Sequence, residues 1–205
     1  MVTKNNDEIN EKELIMLLVK QNSELLEVIK NGTHNTMINN HSNNKTFNLQ
    51  FFLNETCKDA MNIMDFVDSI KLQLSDLENF GEIGYVNGIS NIIVKNLKEL
   101  DITERPVHCT DKKRDILYIK DENKWEKEDS ENKKMRRVIK KVANKNIRLL
   151  QKFKEEHPDC GKSDSKYSDQ YNKLIIEAMG GSGDNDTEKE DKIIKKIAKE
   201  VIIDK

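Results

Sequence analysis

The sequence predicts a mainly α-helical protein, α+β at most, that carries one small β-hairpin. Apolar residues recur at helical spacing over most of the 205-residue chain, and Ser75–Glu78 and Thr187–Glu190 match the capping box that starts a helix. Residues 107–120 instead combine two short strand-like runs with a polar turn. From the N-terminus we expect a coiled-coil helix, a flexible linker, a helical domain with the hairpin, and C-terminal helices.

The composition excludes two classes of protein. Charged residues make up 35% of the chain and hydrophobic residues 36%, and the mean hydropathy is −0.78. No apolar run reaches the about 18 residues of a membrane span, so we expect no membrane partner. The three cysteines are too few and too far apart for a disulfide scaffold. Residues 1–10 lack a signal-peptide core, so we also expect a protein that is not secreted.

Residues 1–30 are predicted to form a dimerising coiled-coil helix. Its heptad seam consists of Ile15, Leu18, Asn22, Leu25 and Ile29. β-Branched residues at position a, leucine at d and one asparagine at a favour a parallel two-stranded coiled coil, so we expect the chain to pair with itself. The seam covers only two heptads, and an amphipathic helix packed on its own domain is the alternative.

Three further regions follow the coiled coil. Residues 31–46 are rich in asparagine and are predicted to be a flexible linker. Residues 47–180 are predicted to form a helical domain, in which 47–51 alternate as a short strand would and 107–120 form the hairpin. Residues 181–205 are predicted to be a glycine hinge followed by a C-terminal amphipathic helix.

Short helices followed by a hairpin are the order of a winged helix. Residues 85–100 would then be the recognition helix, and Lys112–Arg114 would be the basic tip of the wing. The polar side chains expected to point outward from this helix are Asn87, Ser90, Asn91 and Lys95. Asparagine and serine suit hydrogen bonds to base edges, but they suit any exposed helix equally.

Positive charge is concentrated in residues 124–157, which are predicted to form one long helix. No acidic residue occurs between residues 133 and 154, which is typical of a surface that binds phosphates. The predicted nucleic-acid contacts are Lys133, Lys134, Arg136, Arg137, Lys140, Lys141, Lys145, Arg148 and Lys152, joined by Lys112, Lys113 and Arg114. An acidic protein partner and a merely solvated helix face are the alternatives.

The sequence shows no metal or cofactor site. His108 and Cys109, with His157 and Cys160, are the nearest to a zinc-ligand set, but they lack CxxC or HxxxH spacing. We expect His108 to point out of its strand and Cys109 to point inward. Trp125 is expected to pack between the hairpin and the long helix.

No catalytic residues are predicted either, so we expect a protein that is not an enzyme. A nuclease would need clustered acids for metal ions. Asp111, Asp115 and Asp121 near the hairpin are the only candidates, and turn formation explains them equally well.

Four long segments carry a family resemblance. They are NNKTFNLQFFLNETCKDAMNIMDFVDSIKLQLSDL, RPVHCTDKKRDILYIKDENKWEKED, SDSKYSDQYNKLIIEAMGG and KIIKKIAKEVIIDK. The chain resembles an uncharacterised protein family of giant viruses, the mimivirus-like nucleocytoplasmic large DNA viruses. The resemblance implies a viral setting, in the virus factory of the host cytoplasm or in the virion. Many such proteins carry a C2H2 zinc finger before the coiled coil. Cys57 is the first cysteine of this sequence, so zinc is not carried over.

Together these observations predict a dimeric, non-enzymatic nucleic-acid-binding protein of a large DNA virus. DNA is the first candidate, and the sequence leaves RNA open. The alternative is a viral assembly or scaffold protein that acts through its helices, with the basic helix bound to an acidic viral or host protein.

Overall fold

The computed structural model describes residues 15–16, 18–23, 47–111, 114–183 and 185–203, and the chain divides into two compact units, Met1–Thr46 and Phe47–Lys205. In the first unit the described residues are helical, and the apolar side chains of Ile15 and Leu18 are exposed. The predicted seam positions Leu25 and Ile29, and the predicted linker, lie outside the described residues.

The second unit is mainly helical with a small antiparallel sheet, which confirms the predicted fold class. In chain order its elements are α1 (Leu49–Phe51), α2 (Ile63–Ser69), α3 (Leu74–Ile83), α4 (Tyr85–Lys98), β1 (Val107–Asp111), β2 (Ile116–Asp121), β3 (Lys124–Lys127), α5 (Lys133–Ile147), α6 (Leu149–Glu156), α7 (Ser168–Ala178) and α8 (Asp186–Glu200). In the described part of the chain, none of the helices has the length and apolar character to cross a membrane.

The predicted strand at residues 47–51 is wrong, because these residues begin a helical turn. The Asn48 side chain accepts a hydrogen bond from the backbone N–H of Phe51 at 3.1 Å and so caps α1. A π-helical turn, Phe52–Thr56, continues it. A helix cap at Asn48 therefore outweighs the alternation of three apolar residues.

The sheet contains a third strand, β3, within the residues that are predicted to start the long helix, so the predicted helix start at residue 124 is wrong. β1, β2 and β3 lie in that order, and Lys120 pairs with Trp125 across the second hairpin. The chain reverses at Glu122 and Asn123, whose backbones are both left-handed, with φ of 48° and 61°. A turn of this kind matches the twist of paired strands. Lys124–Lys127 therefore return along β2 instead of starting a helix.

The rest of the predicted long helix is two helices, α5 and α6. Arg148 separates them, yet its φ of −62° and ψ of −21° remain in the helical region. Side chains therefore follow each other around α5 and α6 in nearly helical succession.

Two apolar clusters hold this unit together. The larger cluster joins α2, α4, the sheet, α5 and α8. The smaller one consists of Leu77, Leu149, Phe153, Cys160, Leu174 and Ala178, from α3, α6, α7 and the segment between the last two.

The C-terminal helix belongs to the larger core instead of standing apart behind a hinge. Ile193, Ile194 and Ile197 of α8 are almost fully buried. The chain then runs beside β1, where the N–H of Cys109 donates to Val201 at 2.8 Å and the N–H of Ile203 donates to Cys109 at 3.0 Å. The last described residues thus cover the edge of β1.

Candidate nucleic-acid interface

The start of α5 is fixed by two acidic side chains that precede it. Asp129 accepts hydrogen bonds from the backbone N–H groups of Glu131 and Lys133, at 3.0 and 3.2 Å. Glu128 accepts from the N–H of Lys134 at 3.1 Å. The bond from the backbone of Lys133 is the main reason that the pKa of Asp129 is lowered. These contacts satisfy amides that a helix start leaves free, and they set which side of α5 faces solvent.

One flank of α5 faces acidic residues of α8. The Arg136 guanidinium lies 2.8 Å from Glu190 and also pairs with Asp191. The Lys140 ammonium lies 3.8 Å from the other oxygen of Glu190. The hydrogen bond to Glu190 is the largest cause that raises the pKa of Arg136. Glu190 is itself buried, so the cations on this flank of α5 are held by ion pairs to α8.

The opposite flank of α5 is also bonded within the protein. The Lys134 ammonium lies 2.5 Å from Glu126 and 3.4 Å from Asp121. Lys145 donates to three carbonyls at the end of α2, those of residues 67, 68 and 70, at 2.7 to 2.9 Å. A lysine there neutralises the negative end of the helix dipole.

Lys133 is paired at the helix start itself, with Glu131 at 2.9 Å and Asp129 at 3.6 Å. Five of the predicted phosphate contacts thus already pair with groups of their own protein: Lys133, Lys134, Arg136, Lys140 and Lys145. The sequence shows no acid within residues 133–154, but other elements supply the acids in the folded chain.

Four of the predicted phosphate contacts remain between these flanks, along α5, the junction at Arg148 and α6: Arg137, Lys141, Arg148 and Lys152. We call them the basic stripe. None of them forms an ion pair with another residue that the structure describes, and all but the half-buried Lys141 are exposed. They follow each other at spacings of four, seven and four residues, so they lie along one side of the helical path over about 22 Å. Such a row can contact several phosphates of one strand.

The predicted wing tip is only partly described. Lys112 and Lys113 lie outside the described residues. Arg114 is exposed, its side chain lies 3.9 Å from the Asp111 carboxylate, and its N–H bonds to the same side chain at 3.2 Å.

The predicted recognition helix, α4, has less free surface than its sequence predicts. Ser90 is buried and donates its hydroxyl to the Val86 carbonyl at 2.6 Å, so its expected outward position is wrong. The Asn87 side chain accepts from Lys196 of α8 at 2.5 Å. Because α8 lies along α4, a role of this helix in reading bases loses support, and the winged helix stays a prediction.

The expected outward position of His108 is also wrong, because successive residues of β1, from Val107 to Cys109, are buried on both faces of the strand. The imidazole is buried, with its ring 5.2 Å from Phe52 and 5.4 Å from Trp125. Its Nε2 lies 3.6 Å from the Cys57 sulfur. Burial, with a smaller contribution from Arg105, lowers the pKa of His108 to about 4. Burial raises the pKa of the Cys57 thiol to about 11. The pair is therefore neutral near pH 7, which disfavours a reactive thiolate.

The remaining candidates for chemistry lie apart. Cys160 belongs to the smaller core, and the His157 ring stacks on Tyr167 at 3.7 Å. Asp121 is paired with Lys134. Among the residues that the structure describes, no group of three or more histidine, cysteine, aspartate or glutamate side chains is arranged to hold a metal ion.

One signal in the sequence points to the pairing on the α8 flank. Glu190 precedes Ile193, Ile194 and Ile197 by three, four and seven residues, so it falls on the apolar face of its helix. A carboxylate on a buried face needs a cation beside it. Which cation it meets depends on the packing of α8 against α5, and no local pattern gives that.

Comparison of this chain with protein-family models, with curated proteins and with solved structures finds no match.

Proposed function

We propose that this protein is a dimeric, non-enzymatic nucleic-acid-binding protein that contacts the phosphate backbone through the basic stripe. The observation that carries the proposal is the contrast between cations on one helical path. Lys134, Arg136 and Lys145 are bonded to acids or carbonyls, whereas Arg137 and Arg148 between those flanks are exposed and unpaired among the described residues.

The unpaired cations favour a polyanion because binding costs them no intramolecular bond. Each phosphate that they neutralise releases counterions, which favours binding at low salt. A merely solvated face explains the exposure equally well, but it explains less well why acids of α8 and β3 pair with the cations at the flanks and leave the middle free.

The N-terminal helix supports the dimeric part of the proposal. Ile15, Met16, Leu18 and Val19 expose more than half of their surface, which is unfavourable for a helix that stays alone in water. A second copy of the chain would cover this face and would place two basic stripes on one nucleic acid, which increases the avidity. The resemblance in the sequence supports a role in a large DNA virus, in the host cytoplasm or in the virion.

Binding to labelled duplex DNA and single-stranded RNA, followed by fluorescence anisotropy, tests the proposal. We expect the double variant Arg137→Glu and Arg148→Glu to bind at least tenfold more weakly than the wild type, because two contacts become repulsive. The control carries Lys58→Glu and Lys71→Glu, which change the net charge equally at exposed positions outside α5 and α6 and break no ion pair among the described residues. An equal loss of affinity in the double variant and in its control would contradict the proposal, as would the absence of binding by the wild type at low salt. The second result would favour an assembly or scaffold protein.

A further inference from the structure

A pocket of about 300 Å³ opens beside the basic stripe, between α5, the end of α7 and the start of α8. Its apolar wall comes from Ala143, Ile147, Ala178 and Met179. Met179 is 74% exposed at the rim, which is unusual for so large an apolar side chain. The volume is at the small end of ligand pockets, which span about 300–1,000 Å³, and so suits one ring system better than a large cofactor.

Polar side chains also line the pocket. They are those of Tyr85, Lys140, Asn144, Asp186 and Glu190. Burial, then Glu190 and Asp186, raises the pKa of Tyr85 to about 12, so its hydroxyl remains a hydrogen-bond donor. One oxygen of Glu190 bonds to Arg136 at 2.8 Å, whereas the other has only Lys140, at 3.8 Å, among the residues that the structure describes. That second oxygen can accept another hydrogen bond.

The pocket is directly adjacent to the basic stripe. Asn144, which lines the pocket and is exposed, follows Lys141 by three residues and precedes Arg148 by four. Side chains at these spacings are neighbours on a helix, with about 5–6 Å between their Cβ atoms. A strand whose phosphates contact Lys141 and Arg148 therefore passes the mouth of the pocket.

We propose that this pocket binds an unpaired nucleobase of the strand whose phosphates lie on the basic stripe, and that it favours a base with an exocyclic amino group. The inference rests on the proposed function. A pocket lined by apolar side chains together with a few polar groups suits the flat, amphipathic ring of a base. Carboxylates at Asp186 and Glu190 accept hydrogen bonds from the amino group of cytosine, adenine or guanine, which thymine and uracil lack.

The ligand is therefore single-stranded or locally unpaired nucleic acid. In a duplex the base edges are paired and the faces are stacked, so a base enters a pocket only after it leaves the stack. A single strand offers its bases freely, and contact with a base adds affinity that the phosphates alone do not give.

The test compares oligo(dC), oligo(dT) and duplex DNA by fluorescence anisotropy at one salt concentration. We expect oligo(dC) to bind most tightly. Met179→Ala and Asn144→Ala should each weaken binding of oligo(dC) by about tenfold and leave duplex binding unchanged. Ile176→Ala is the matched control, because Ile176 is exposed on the same helix as Ala178 but does not line the pocket.

Two outcomes separate the inference from the proposed function. If both pocket variants bind oligo(dC) as the wild type does, while Arg137→Glu with Arg148→Glu abolishes binding, the pocket inference is overturned and the phosphate interface stands. If the charge reversal leaves binding intact, or if no probe binds, both are overturned.

Photo-crosslinking gives a second, independent readout. An oligonucleotide that carries 5-iododeoxycytidine should crosslink to Tyr85 or Met179, located by mass spectrometry of the digested complex. Crosslinks found only at other residues would overturn the inference.

Discussion

Replacing Lys145 with methionine should destabilise the protein without weakening phosphate binding. Its ammonium donates to the carbonyls of Val67, Asp68 and Ile70 at 2.7, 2.9 and 2.9 Å. Val67 and Ile70 are buried, so these carbonyls have little access to water once the ammonium is gone. Methionine keeps most of the length and apolar stem of lysine but removes the donor.

The expected cost of Lys145→Met follows from those contacts. A hydrogen bond to a charged group contributes about 1.5–3 kcal/mol, and a buried carbonyl left without a partner costs about 1–3 kcal/mol. The exposed Asp68 carbonyl can be hydrated again, and methionine avoids the desolvation of the ammonium. We therefore expect a loss of about 3 kcal/mol in the free energy of unfolding.

Urea denaturation, followed by circular dichroism, measures the effect of Lys145→Met. With a slope of about 2 kcal/mol/M, a loss of about 3 kcal/mol lowers the midpoint by about 1.5 M. Lys141→Met is the control, because Lys141 lies one turn earlier on α5 and has no ion pair among the described residues. Free energies of unfolding of the two variants that agree to within about 0.5 kcal/mol would refute the capping role.

Two further predictions concern the core. The low pKa of His108, about 4 against 6.5 for an imidazole in water, means that the folded protein keeps the imidazole neutral near pH 7. Its contribution to stability is complete above pH 6.5 and falls by up to about 3 kcal/mol as the pH drops towards 4. The urea midpoint of the wild type should fall across this pH range, and that of His108→Phe should fall less. Parallel curves of midpoint against pH for the two proteins would contradict the contribution of His108. Gly88→Ala should destabilise the fold by about 1–3 kcal/mol, because its new Cβ would overlap the Phe80 ring. Gly161→Ala should be nearly neutral, since nothing lies within 4 Å of that site, and equal thermal midpoints for the two glycine variants would argue against the close contact.

The helices with one clear apolar face could be predicted from the sequence, because burial of that face decides both their presence and their orientation. This holds for α4, α7 and α8. The strand β3 could not, since Lys124–Lys127 carries charges typical of a helix start and its pairing depends on two left-handed residues, Glu122 and Asn123. Neither residue is a glycine, so the turn lacks its usual signal.

The candidate interface was predictable only in part, for a similar reason. The sequence predicts a basic helix between residues 133 and 154, but it does not show which of its cations meet acids in the fold. Arg136 and Arg137 are neighbours in the chain, yet one is paired with α8 and the other is exposed. This difference arises from tertiary packing. The pocket lined by Tyr85, Asn144 and Met179 also arises from tertiary packing, because these residues are far apart in the sequence.

The salt dependence of binding shows whether the basic stripe contacts phosphates. The affinity for a single-stranded oligonucleotide should fall with salt, with a slope of log K against log [salt] of about −0.7 for each phosphate contact, or about −3 for the four cations of the basic stripe. Reversal of Arg137 and Arg148 should flatten this slope by about half, and Lys145→Met should leave it unchanged. A slope near zero in the wild type would contradict phosphate contact by the basic stripe. So would a slope that Lys145→Met flattens as much as the double reversal does.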